Sequence, residues 1–127
     1  MSRHPQRLAD YLAHILQAIE RIQRYSGSDE AGFLGNEMAQ DAVIRNLEVI
    51  GEASRNVERE HPDFAAAHPE LPLAFAYEMR NALAHGYFKV DLAIVWRTIG
   101  SDLPRLHRQV CALLQDHAGD ADRGSTP

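Results

Sequence analysis

Apolar residues recur at Leu8, Leu12, Ile15, Ile19 and Ile22 in steps of four and three, the seam of a long amphipathic helix. Tyr11, Ala18 and Tyr25 widen that stripe, His14 lies off it at the surface, and Gly27 and Ser28 end it. Ser28 or Asp29 can cap the next helix. This second long helix is expected from about Asp29 to His61, with Val43, Leu47, Ile50 and Val57 inward. Gly32 and Gly35 loosen its start, at roughly 1 kcal/mol each relative to alanine, and Gly51 marks the close approach of another helix or of a second subunit. Prolines punctuate the chain from His61-Pro62 to Leu71-Pro72, giving a connector with one helical turn around Phe64 to Ala67. Pro72 can open a third helix, whose apolar face is Leu73, Ala76, Met79 and Leu83 and whose stop is Gly86.

After a short turn at Phe88 to Val90, Asp91 can cap a fourth helix. Leu92, Trp96, Ile99, Leu103, Leu106, Val110 and Leu113 keep the same alternating steps across Pro104, which predicts one helix kinked near Gly100 to Leu103. Trp96 sits squarely on that stripe and reads as core rather than as a platform for a base. No stretch alternates as a strand does, and nothing repeats. The pattern predicts an all-α domain over residues 1–117, an up-and-down bundle of four main helices, followed by a disordered polar tail over 118–127.

Composition adds limits. The chain has 127 residues, 45% hydrophobic and 24% charged, which suits one soluble domain. No segment approaches the ~20 apolar residues that span a bilayer, so a cytoplasmic location without membrane contact is expected. Cys111 is the single cysteine and reads as a small buried hydrophobe. The net charge of −5 argues against a broad nucleic-acid groove. Its distribution matters more. Residues 1–78 carry seven Lys/Arg against thirteen Asp/Glu, whereas residues 79–117 carry five against three: Arg80, Lys89, Arg97, Arg105 and Arg108. A local phosphate site is therefore credible there, and the acidic remainder suits either a basic protein partner or plain solubility.

The candidate chemistry lies in Arg80-Asn81-Ala82-Leu83-Ala84-His85-Gly86-Tyr87. Histidine exchanges a proton near neutral pH, and arginine offers a permanent fork of donors matched to phosphate oxygens. On a helix, Asn81 and His85 share a face while Arg80 and His85 are offset by roughly 140°. Arg80 then meets the imidazole either by its own long stem or across two copies of the helix. Metal-free RNA cleavage needs a 2′-hydroxyl deprotonated, charge on phosphorus stabilised and a leaving oxygen protonated, tasks these two residues can share, with Asn81 orienting. Each also has a plainer role: Arg80 in a surface ion pair, His85 against the negative end of its helix, Tyr87 as a contact behind the glycine. Glu58 and His61 have the Glu-x-x-His spacing of helical metal sites, but no second pair accompanies them, so a solvated helix end is preferred and neither metal nor cofactor is expected.

Arg80-Asn81-x-x-x-His85 is similar to the Arg-x4-6-His motif of the HEPN superfamily, and His85-Gly86-Tyr87 continues it in the form found in HepT-type toxins. Residues 41–53 and 86–96 resemble that family's second and fourth helices, so the likeness covers roughly residues 8–115. It implies a homodimeric, metal-independent ribonuclease toxin with Arg80, His85 and Asn81 as catalytic residues. It further implies a nucleotidyltransferase antitoxin that silences the toxin by adenylylating Tyr87. The alternative is a non-catalytic helical module that binds a nucleotide or serves a nucleotidyltransferase as its partner.

Overall fold

The computed structural model describes the backbone of residues 5–71 and 92–125, with side chains over 8–71 and 92–116. Five α-helices and no strand lie within it: α1 Pro5–Tyr25, α2 Glu30–Leu34, α3 Glu37–Glu60, α4 Pro62–Ala67 and α5 Leu92–Ser125. The all-α class is as expected. The third main helix, the turn at 88–90 and the Asp91 cap lie outside the described residues.

The α1 seam is the centre of the core. Leu12, Ile15, Ile19 and Ile22 are each at most 1% exposed, and α1 packs against both α3 and α5. Each such side chain contributes roughly 1.5–3 kcal/mol of burial free energy. Ser26 N–H donates to the Ile22 carbonyl at 2.9 Å, and Gly27, at φ +79°, then turns the chain away in the left-handed region. Tyr25 does not join the stripe. It lies in the last turn, 43% exposed, with the Arg24 guanidinium 5.2 Å from its ring centroid.

The long helix expected over 29–61 is two helices. Asn36 leaves helical angles, at φ −123° and ψ 98°, and its side chain accepts from Ala39 N–H at 3.0 Å, which starts α3 afresh. Gln40 Nε2 donates back to the Phe33 and Leu34 carbonyls at 3.0 and 2.9 Å, satisfying the end of α2. The break frees Phe33, 1% exposed, to pack on Trp96 with ring centroids 5.5 Å apart. Trp96 is thus a packing residue. Past the inner positions Val43, Leu47, Ile50 and Val57, α3 ends at His61, and Pro62 opens α4 at its first position.

α5 runs through Pro104 as a single helix, with Val95, Ile99, Leu103, Leu106 and Val110 buried. Proline lacks the donor for the Gly100 carbonyl, but Gly100 is exposed and open around its α-carbon, so water can serve that oxygen. The helix continues to Ser125, past residue 117, where the tail was expected to begin. Extending a helix fixes one residue per added hydrogen bond, so absence of core residues is not in itself a stop.

Contacts fix the directions. Tyr11, early in α1, donates its hydroxyl to Glu60 Oε2 at 2.9 Å and meets His61 edge-on, whereas Tyr25 lies by Asn36 and Ala39 at the start of α3. α1 and α3 are therefore antiparallel. Glu20 meets His107 while α2, just beyond the end of α1, meets Trp96, so α5 also runs opposite to α1. Most buried polar groups are satisfied locally: Asn46 Nδ2 donates to the Ala42 carbonyl at 2.8 Å and Thr98 Oγ1 to that of Ile94 at 3.0 Å. Ser54 Oγ has no hydrogen-bond partner among the described residues. No helix among them is long and apolar enough to cross a membrane.

Two glycines should respond oppositely to alanine, as read from urea-unfolding midpoints. Gly27→Ala forces a side chain into the left-handed region and should cost about 1–2 kcal/mol, whereas Gly100→Ala meets open space and should stabilise by about 0.5–1 kcal/mol. Tyr11→Phe, which removes the donor to the Glu60 carboxylate, should cost about 1–2 kcal/mol by the same measurement.

Candidate functional site

Arg80, Asn81, His85 and Tyr87 lie outside the described residues. What the structure describes is the frame that holds both ends of their segment. At one end Gln109 Nε2 on α5 donates to the Glu70 carbonyl at 3.1 Å, Leu71 N–H donates to the His68 carbonyl at 3.1 Å, and Leu71 is 5% exposed. At the other, α5 begins at Leu92. From 92 to 109 is about 25 Å of helix at ~1.5 Å per residue. The chain thus leaves the frame partway along α5 and re-enters at the far end of the bundle, where Trp96 packs on Phe33 of α2.

Two further properties belong to α5 and to that end. Arg97, Arg105 and Arg108 are exposed on α5, and their spacing sets them within a stripe about 80° wide. Arg105 shares its charge with Asp102 at 3.6 Å. The cationic stripe starts near Trp96 and runs back along the helix. Among the described residues the large apolar ones that remain exposed are Tyr25, Leu34, Met38 and Ile94, with Met38 at 83%. They come from the end of α1, from α2, from the start of α3 and from the start of α5, elements that meet at this end. A groove of about 320 Å³ lies there, lined by Tyr25, Asn36, Met38, Ala39 and Ala42.

Other polar groups are scattered. His14 is exposed, as expected, and borders a groove of about 310 Å³ with Arg45, Glu48, Val49, Glu52, Ala53 and Asn56 of α3. Glu58 and His61 do not form a pair of ligands, because His61 has left helical angles and is buried against Tyr11 while Glu58 is exposed. Among the described residues no three His, Cys, Asp or Glu side chains are grouped to hold a metal ion. Glu70 is held below the ordinary carboxylate range by a backbone hydrogen bond and by its contact with His68, whose Nδ1 is 3.0 Å away. A depressed carboxyl stabilises only while ionised, so this small surface contribution is lost as pH falls through the lowered value.

One cluster differs from the expectation for Cys111. This residue is only half-buried, and its Sγ lies 3.8 Å from His107 Nδ1; His107 Nε2 in turn lies 3.1 Å from Glu20 Oε2 on α1. The four-residue spacing of His107 and Cys111 is visible in the chain, but Glu20 is 87 positions from His107 and nothing local announces it.

Related sequences bear on the family directly. The family model for HepT-like ribonucleases, described as "Ribonuclease HepT-like", matches residues 15–113, which bracket the motif. A Thermococcus cleftensis protein named as a probable ribonuclease HepT is 43% identical over 98 residues, 76% of this chain and 86% of that protein. A Caldanaerobacter subterraneus protein named as a candidate RNase is 39% identical over 106 residues, 83% of this chain and 92% of its own length. A Methanocaldococcus jannaschii protein, named as a gamma-glutamylcyclotransferase and candidate RNase, is 36% identical over 107 residues, 84% of this chain but 47% of that longer protein. No solved structure matches the chain significantly. With a family match over most of its length, a relative 43% identical over 76% of the chain and an all-helical frame among the described residues, this chain belongs to the HepT-like ribonuclease family.

Proposed function

We propose that the chain is a metal-independent endoribonuclease, the toxin of a toxin–antitoxin pair. His85 takes or gives the proton at the 2′-hydroxyl or the leaving oxygen. Arg80 grips the scissile phosphate and stabilises the charge that builds on it, and Asn81 sets the orientation. The observation that carries this reading is the family match over residues 15–113, a span that includes Arg80, His85 and Tyr87. The frame supports it. A helix over 72–85 would be about 21 Å long, close to the distance between the anchored ends of the segment, and would deliver His85 near the Trp96 end. Arg97, the residue after Trp96 on α5, supplies a phosphate contact close by.

The active form is a homodimer. Its support is the concentration of Tyr25, Leu34, Met38 and Ile94, exposed, at the end of the bundle where α5 begins. Two copies meeting there would bring Arg80 and His85 of both into one cleft. An acidic nucleotidyl group on Tyr87, two residues from His85, would block that cleft and repel RNA phosphates, so silencing by a nucleotidyltransferase requires no refolding.

The wild-type chain should degrade RNA in the presence of a chelator, whereas Arg80→Ala and His85→Ala should lose about 10²-fold or more while keeping the helical circular dichroism of wild type. If all three leave RNA intact, the chain is a binding module. Met38→Glu, at an exposed position with no fold to disturb, should convert the dimer to monomers by light scattering and reduce cleavage with it. A Met38→Glu protein that stays dimeric refutes the assigned interface.

A further inference from the structure

We infer that Cys111 is a thiol-modification site, activated by His107 and Glu20 and reactive toward low-molecular-weight disulfides. This rests on α1 and α5 alone and stands apart from the ribonuclease reading. Glu20 Oε2, at 3.1 Å, accepts from His107 Nε2–H, which leaves the Nδ1 lone pair facing the Cys111 thiol at 3.8 Å. The carboxylate thus selects the tautomer that can take the thiol proton, the order of groups by which a nucleophile, a base and an orienting acid work together.

The site is open enough to react. Cys111 is half-buried, the His107 side chain is 26% exposed and that of Glu20 54%. A cysteine whose only task was to fill the core would sit with Leu106 and Val110, at 2% and 0% exposure, on the inner stripe of the same helix. Cys111 is less buried than that stripe, with the imidazole of His107 on its own helix beside it and the Glu20 carboxylate of α1 on the far side of the imidazole.

The step balances without an outside oxidant beyond the disulfide. The Cys111 proton passes to His107 Nδ1, Sγ attacks one sulfur of the small disulfide, and the S–S bond of that molecule breaks as the new one to Cys111 forms. The departing thiolate takes the proton back from His107 and leaves as a thiol. Cys111 is oxidised to a mixed disulfide and half of the reagent is reduced. The product occupies the edge of the α1–α5 seam and removes the thiol from its contact with His107, beside the contact between His107 and Glu20 that joins the two helices.

Because the chain has one cysteine, every adduct reports on this position. The full-length protein is incubated with oxidised glutathione at neutral pH, and the single glutathionyl adduct is followed by intact mass. Folded wild type should react faster than the same chain unfolded in urea. Glu20→Gln, which keeps an exposed side chain of the same shape, and His107→Gln should each slow the folded reaction about tenfold, and Cys111→Ser should show no adduct. Should His107→Gln disturb the fold by circular dichroism, Glu20→Gln carries the test alone. Folded wild type that reacts no faster than the unfolded chain, or Glu20→Gln that reacts at the wild-type rate, overturns the assignment.

Discussion

The structure depends on one buried strip, the face of α1 formed by Leu12, Ile15, Ile19 and Ile22. Both long partners, α3 and α5, pack on this helix, so its apolar side chains are shared by two interfaces at once. A helix of 21 residues has little stability alone in water, and its packed stripe supplies what propensity does not. Everything that positions the candidate chemistry rests on this arrangement. The anchoring of Glu70 by Gln109, the start of α5 and the packing of Phe33 on Trp96 all require α5 to lie where α1 puts it.

Around that strip the chain satisfies its polar groups close to home. Asp29 and Gln40 complete the two ends of α2 with their side chains while Asn36 caps α3, so α2 can exist at only five residues. Its reason for existing is Phe33. A continuous helix through Gly35 and Asn36 would give up the caps that let α2 turn this ring onto Trp96. The same break leaves Leu34 and Met38 facing outward beside Tyr25, so the apolar surface at this end is a consequence of how the core is closed.

For a chain of a ribonuclease family, whose substrate is a polyanion, the charge layout is coherent. The acidic half of the chain forms α1 to α4, while the exposed arginines of α5 form a stripe that begins where the motif segment rejoins the frame. Net negative charge and a cationic stripe coexist because the two are on different elements. The His107–Glu20 contact shows the same separation from another side: a histidine that looks unremarkable on its own helix gains a carboxylate only from the helix packed against it.

Features that depend on neighbours within about one turn were legible in the residues. The α1 seam, the α5 seam across Pro104, the stop at Gly27 and the turn after His61-Pro62 all follow from periodicity and from the steric demands of glycine and proline, which act over three or four positions. The Arg80 to Tyr87 motif stands out in the chain for the same reason, being a single short stretch, and lies outside the described residues. The break at Gly35-Asn36 was only half visible: two glycines announced a weak start, but Gln40 capping Phe33 and Phe33 finding Trp96 involve partners 7 and 63 residues apart. Tyr25 on the surface and Cys111 beside an imidazole likewise had no local signature, since exposure and proton partners are set by which helices come to lie together. Near-neighbour hydrogen bonds and side-chain spacing choose the helices, whereas their assembly chooses what each face touches, because burial is a property of the packed chain as a whole.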